Sequence, residues 1–230
     1  MQKKLLWVGL VVAMLSGVML FTQADADPVA TYDAEDIYKA SESAVFYLRA
    51  LRDDGTLRAV GTGVVIDAKG TAATAYHVVK EAGSLEAVFG NGKTVKGVKL
   101  LGYDELTDAA VLVLPDPKTA GIKGAAYVFL PVREAALAYG EHVFALGYPL
   151  KETVIITEGI VNNPTAKING RSRILTSAQI VSGMSGGPLV DEQGRLSGII
   201  SGSLRTMDNI HLVVDMGDVR SLLKKTAAGK

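Results

Sequence analysis

The stretch Val181-Ser182-Gly183-Met184-Ser185-Gly186-Gly187-Pro188-Leu189-Val190 packs three glycines and two serines into a few positions, then returns to apolar residues. Such a segment is either a tight turn between strands or the setting of a reactive serine, whose neighbours present backbone N–H groups without side chains in the way. A serine acts as a nucleophile only when an imidazole takes its proton and a carboxylate orients that imidazole. The rest of the chain must therefore supply both.

The chain has 230 residues, 48% of them hydrophobic and 25 of them glycine. That suits one sizeable domain or two small cores packed together, and a turn-dense β protein more than a helical bundle. Basic and acidic residues balance at 24 each, with no basic run or charged tail to suggest nucleic acid as a partner. Cysteine is absent, which excludes disulfides, thiol nucleophiles and cysteine-bound zinc.

Lys3 and Lys4 precede an uncharged run from Leu5 to Phe21, and Ala24-Asp25-Ala26 follows as a small-x-small site. This is the three-part pattern of an export signal over residues 1–26, implying a periplasmic or secreted protein. The same apolar run, residues 5–21, is at the short limit of a membrane tether.

Residues 27–42 read as a lead-in, in which 33–42 is a short polar helix or an irregular segment. Runs such as "AVFYLRA", "GTGVVID", "TAATAYHVV" and "AAVLVL" read as short strands separated by Gly, Asp and Asn clusters. Residues 115–135 are looser, with three prolines, and a second series begins with "HVFALGYP" and ends with "IHLVVD". The pattern predicts an all-β chain of two six-stranded antiparallel barrels, about 43–115 and 136–215, within a domain spanning 43–226 before a tail at 227–230. "MGDVRSLLKK" closes the domain as an amphipathic helix that Asp215 can cap. Residues 159–173 read as a long, polar, mobile loop.

The histidines are His77, His142 and His211. His77 ends a small-residue strand, and Asp108 stands at the start of the apolar run "AAVLVL", where a carboxylate needs a hydrogen-bond donor such as a histidine N–H. The histidines are far apart and no H-E-x-x-H occurs, so no metal site is predicted, and no cofactor is implied.

"TAYHVV", "TDAAVLVL" and "GMSGGPLV" resemble, in order and spacing, the three catalytic blocks of HtrA-type proteases, a branch of the trypsin-like serine proteases. "GTGVVIDAKG", "VFALGYP", "ITEGIV" and "TSAQIVSGMSGGPLVDEQGRLSGI" extend the resemblance over about residues 43–222. It implies a serine endopeptidase acting on protein or peptide, with Ser185 as nucleophile, His77 as general base then acid, and Asp108 as orienting carboxylate. Gly183 and Ser185 would supply the N–H groups of the oxyanion hole. The substrate would pair with Ser201, Gly202 and Ser203, and Gln179 to Ser182, with Ile200 and Ser203 opposite, would wall the primary pocket. His211 falls near the rear of that pocket. Met184 stands where trypsin-type zymogens carry an aspartate, so activation by an inserted N-terminus is not expected. The chain stops soon after its last helix, so the PDZ domain usual in the family is not expected either. Quality control or processing of exported proteins is the implied role.

Two rival readings differ in class. "GMSGG" also satisfies G-x-S-x-G, the nucleophile elbow of α/β-hydrolases, which would pair Ser185 with Asp191 or Asp208 and then His211. That fold requires a helix after the serine, and "GGPLVDEQG" is a poor one. The other reading is a protease-like binding module held inactive by a misplaced 159–173 loop. Nothing in the sequence sets an oligomeric state.

Overall fold

The computed structural model describes residues 31–204 and 207–228. The leader expected at 1–26, including the apolar run 5–21, lies outside them. Among the described residues no helix is long and apolar enough to cross a membrane.

The chain enters through α1, Ala34–Ser41, whose N-terminus is capped by Asp33: its Oδ1 accepts the Asp36 N–H at 3.0 Å. Six strands follow: β1 (Val45–Leu51), β2 (Leu57–Val65), β3 (Thr71–Ala75), β4 (Ser84–Phe89), β5 (Thr94–Asp104) and β6 (Ala109–Val113). They close into a barrel in the order β1-β2-β3-β6-β5-β4, all neighbours antiparallel. One helical turn, α2 (Tyr76–Val79), interrupts the chain between β3 and β4. The second set is β7 (His142–Leu150), β8 (Thr153–Ile168), β9 (Arg171–Thr176), β10 (Pro188–Asp191), β11 (Leu196–Ser203) and β12 (His211–Asp215). Its order, β10-β11-β12-β9-β8-β7, repeats that of the first barrel, and closure leaves neither sheet with an unpaired edge.

Runs such as "AAVLV" lack polar alternation because both faces of these strands are buried. Ala110, Leu112, Ala72 and Val65 fill the first barrel, while their neighbours Ala109, Val111, Ala73 and Val64 pack into the seam between barrels. Likewise Val143, Ala145, Leu189 and Val213 fill the second barrel, and Phe144, Leu146, Val190 and Val214 turn to the seam. The period of two thus distributes one apolar run between two cores. The last helix, α3 (Met216–Ala228), lays Val219 and Leu222 on the same seam, and Asp215 Oδ1 accepts the Gly217 N–H at its start, 2.6 Å.

One expectation is overturned. Residues 159–173 are not a loop: most of them lie in β8, which pairs with β7 and, through a two-residue turn at Asn169-Gly170, with β9. Both turn residues have positive φ, 51° and 76°, the backbone of the hairpin turn that Asn-Gly favours. The polar composition reflects a half-exposed strand, with register breaks on either side of Asn163 beside Pro164, a residue that cannot donate to a ladder. The proposed route to latency through a mobile loop here is lost with it.

Candidate active site

β3 ends at Ala75, and α2 turns the chain so that His77 stands at the mouth of the seam, its side chain half-exposed. Asp108 sits in the turn just before β6 with φ 59°, a left-handed conformation costly for a non-glycine residue. The turn is held by what it binds. Asp108 Oδ1 accepts the His77 backbone N–H at 2.9 Å, and the Asp108 carbonyl accepts the Tyr76 N–H at 3.0 Å. Its Oδ2 lies 2.9 Å from His77 Nδ1 and accepts the Ser201 hydroxyl at 2.6 Å. A carboxylate facing Nδ1 places the proton there and leaves Nε2 as an acceptor.

Burial alone would raise the Asp108 pKa. The His77 hydrogen bond and charge, the Ser201 hydroxyl and the His77 N–H outweigh it, and the carboxyl titrates below its ordinary value.

Ser185 lies in the turns between β9 and β10. Val181 to Met184 close a four-residue turn through Met184 N–H to Val181 O, 3.1 Å, with Gly183 third at φ 95°. A Cβ on Gly183 would stand 2.7 Å from the Tyr148 carbonyl oxygen, so only glycine fits both the torsion and the space. Neither the Gly183 nor the Ser185 N–H has a backbone acceptor among the described residues. Met184 is fully buried in the second barrel's core.

The first barrel holds this turn in place. Thr62 of β2 donates its N–H to the Ser185 carbonyl at 2.8 Å and its hydroxyl to the Gly183 carbonyl at 2.8 Å. Gly61 lies between Ser185 and the residue after His77: a Cβ there would be 2.8 Å from both the Ser185 carbonyl oxygen and the Val78 side chain. The serine and histidine thus share one end of the seam, although Ser185 Oγ makes no hydrogen bond among the described residues. Such bonds are commonly loose in unliganded enzymes and tighten with substrate.

The residues expected around the substrate divide. Gln179 and Ser182 are exposed, and Gly202 faces open space, where an added Cβ would meet nothing within 4 Å. Ile200 is instead fully buried in the second barrel's core, so its side chain forms no exposed wall; its carbonyl accepts the Gly186 N–H at 2.7 Å. Ser201 spends its hydroxyl on Asp108. Ser203 Oγ lies 2.7 Å from Nδ1 of His211, which is buried, and burial lowers the His211 pKa toward the neutral imidazole.

The esterase arrangement is not assembled. Asp191 is bound by Arg133 and Arg195, at 3.1 and 2.8 Å, while Asp208 is exposed. No cluster of three or more potential metal-binding side chains occurs among the described residues.

Sequence reasoning missed two supports. Thr62 is one. Arg173 of β9 is the other: it is 4% exposed and donates to the Thr107 carbonyl at 2.7 Å, crossing from the second barrel to the turn that holds Asp108. Burial pulls its pKa down, against the attraction of the Asp108 carboxylate. No local spacing announces such a contact; only the packing of one barrel on the other creates it.

Two antiparallel barrels with a histidine–carboxylate pair at their seam and a glycine-lined serine turn opposite define the trypsin-like class. The family described as "Trypsin-like peptidase domain" matches residues 61–199, and the chain belongs to it. Its likeness is to the HtrA-type branch. Serine endoprotease DegS of Escherichia coli is 30% identical over 217 residues, covering 84% of this chain and 58% of that protein. Protease Do-like 1, chloroplastic, of Arabidopsis thaliana is 33% identical over 147 residues, covering 60% of this chain and 32% of that protein. The crystal structure of the serine endoprotease from Yersinia pestis superimposes with a TM-score of 0.72 at 26% identity, covering 86% of this chain and 67% of the other. The chain therefore spans between a third and three fifths of the length of these two relatives by sequence.

Proposed function

We propose that this protein is an exported serine endopeptidase that hydrolyses peptide bonds in protein substrates, with Ser185 as nucleophile. The observation that supports the proposal is the hydrogen-bonded series Ser201–Asp108–His77, which leaves His77 Nε2 without a partner among the described residues, one residue before Val78, whose side chain meets the Ser185 carbonyl across Gly61. Ser185 Oγ attacks the substrate carbonyl carbon as its proton passes to His77 Nε2. The oxygen that gains the electron pair becomes an oxyanion and accepts the N–H groups of Gly183 and Ser185. His77 then gives its proton to the leaving amine as the C–N bond breaks, leaving an acyl group on Ser185. Water, activated by the same imidazole, releases the acid and restores the hydroxyl.

Gln179, Ser182 and Ser203 carry no charge, which favours a neutral, small to medium side chain in the primary pocket rather than lysine or arginine. Gly202 and its neighbours on β11 offer the strand that pairs with the substrate backbone. Residues 1–26 export the chain; N-terminal sequencing of the mature protein distinguishes cleavage after Ala26 from retention of residues 5–21 as a tether.

Reaction of the full chain with a serine-directed fluorophosphonate, followed by mass mapping, tests the assignment. Labelling at Ser185 that disappears in Ser185→Ala and collapses in His77→Ala is the expected result. A folded protein that takes no label, or is labelled elsewhere, overturns it.

A further inference from the structure

A cavity of about 600 Å³ opens away from the Ser185 turn, between α1, the β4–β5 turn, the chain around residues 121–128 and the β7–β8 turn. Its volume is within the roughly 300–1,000 Å³ of small-molecule sites. The rings of Phe89 and Tyr127, both buried, stack along it with centroids 6.1 Å apart.

Its inner end is unusual. Tyr148 is 2% exposed, and its hydroxyl has no hydrogen-bond partner among the described residues. Burial, with the nearby Tyr38 and Glu42, pushes this phenol up to about 12, so it is a neutral donor at any physiological pH. Gly90 stands beside it: a Cβ there would lie 3.3 Å from the hydroxyl. A buried donor bears its full desolvation cost unless something accepts from it, so this hydroxyl points to a missing acceptor.

The charges are divided. Lys93 brings its ammonium to within 3.0 Å of where a Cβ on Gly121 would stand, and Lys123, two residues further along, also lines the cavity. Among the described residues the lysines paired with carboxylates are Lys39, Lys80, Lys96 and Lys151; Lys93 and Lys123 are not among them. Glu42 lies instead by the phenols, and Glu152 is beside Lys151. A complementary molecule has a carboxylate for the lysines, an apolar group against Phe89 and Tyr127, and an amide whose C=O takes the Tyr148 proton while its N–H faces Glu42.

The backbone of Tyr148 touches the Ser185 turn. Its N–H donates to Thr62 Oγ1 at 2.9 Å, the hydroxyl that donates to the Gly183 carbonyl, and its own carbonyl oxygen is the atom that excludes a side chain at Gly183. We propose that this cavity binds an N-acylated apolar amino acid carboxylate, free or as the end of a peptide, and that the occupant acts on the Gly183 turn through Tyr148. The second half rests on the proposed role of Ser185; the first does not.

The test uses the full chain with carbon-13-labelled tyrosine rings, titrated with N-acetyl-L-phenylalanine, with N-acetyl-L-phenylalaninamide as control. The Tyr148 resonance, identified by its loss in Tyr148→Phe, should shift saturably. The amide should bind about tenfold more weakly, as should the acid in the Lys93→Glu, Lys123→Glu double variant. Tyr148→Phe deletes an unpartnered hydroxyl, so it should fold at least as well as the parent and bind more weakly, as read from Tyr127. Binding of Gly-Gly-Phe as tightly as the acetylated amino acid identifies a peptide end as the source; exclusion of the tripeptide identifies a free acid. No saturable shift at millimolar acid, or equal binding of acid and amide, overturns the site. Ligand at saturation should also change the rate at which fluorophosphonate labels Ser185. Binding without that change overturns the coupling alone, and a chain that never labels refutes the protease reading while the titration still reports on the cavity.

Discussion

The hydroxyl of Ser201, on β11 of the second barrel, donates to Asp108 Oδ2 at 2.6 Å across 93 residues of chain to the first barrel. Asp108 is thus held from both sides of the seam, and the orientation of His77 depends on how the barrels dock. Ser201→Ala removes this bond and leaves the two from His77. Hydrogen bonds to charged groups contribute about 1.5–3 kcal/mol, so the labelling rate of Ser185 and peptide cleavage should fall by roughly ten- to hundredfold, with circular dichroism unchanged. An undiminished rate would mean that His77 alone sets the carboxylate.

The lowered pKa of Asp108 has a definite sign in stability. A carboxyl that titrates lower when folded contributes stability above its unfolded pKa of about 3.9, and loses it as pH falls through the folded value. Asp108→Asn should therefore destabilise the protein at neutral pH, and its melting temperature should fall less steeply than the parent's below about pH 4. Thermal melts of the two proteins across that range read the difference; parallel curves would contradict the assignment.

Much of this was legible because short blocks carry it. His77, Asp108 and Ser185 stand in local patterns that mark strand ends and a glycine turn, and the strands follow from apolar runs between Gly and Asn clusters. The polar residues of 159–173 suggest a loop, although the stretch contains Asn169-Gly170, a dipeptide that favours a hairpin turn. The resemblance implies a pocket wall at Ile200; the alternation of strand faces sends its side chain into the second barrel's core instead. Thr62, Arg173 and the hydroxyl of Ser201 act only across the seam, over 66 to 121 residues of chain, where no sequence period reaches.

Gly183→Ala tests the oxyanion turn without touching the reacting groups. At φ 95° a methyl would be strained and would press on the Tyr148 carbonyl at 2.7 Å and Pro149 Cα at 2.9 Å. The turn must shift, taking the Gly183 N–H away from the proposed oxyanion position. The loss of one such donor costs about 10²–10³ in rate, so kcat should fall by that much with little change in KM. A variant with normal kcat would remove Gly183 from the proposed oxyanion hole.

The 133–141 segment is anchored to the second barrel by a buried ion network. Arg133, 8% exposed, reaches Asp191 at 3.1 Å and Glu141 at 2.8 Å, and Asp191, 2% exposed, also binds Arg195 at 2.8 Å. Asp191 Oδ1 accepts the backbone N–H groups of Gln193 and Arg195 besides, shaping the β10–β11 turn just beyond Ser185. Asp191→Ala removes these acceptors and leaves a buried guanidinium with one carboxylate. Breaking a buried pair from one side costs about 3–5 kcal/mol, which for a domain of this size lowers the melting temperature by roughly 6–20 °C. Asp191→Asn keeps an acceptor for the turn and should fall between the two. Equal melting of the alanine and asparagine variants would assign the effect to the lost charge, and a loss under 1 kcal/mol, on the order of a surface substitution, would show that Glu141 alone suffices to hold Arg133.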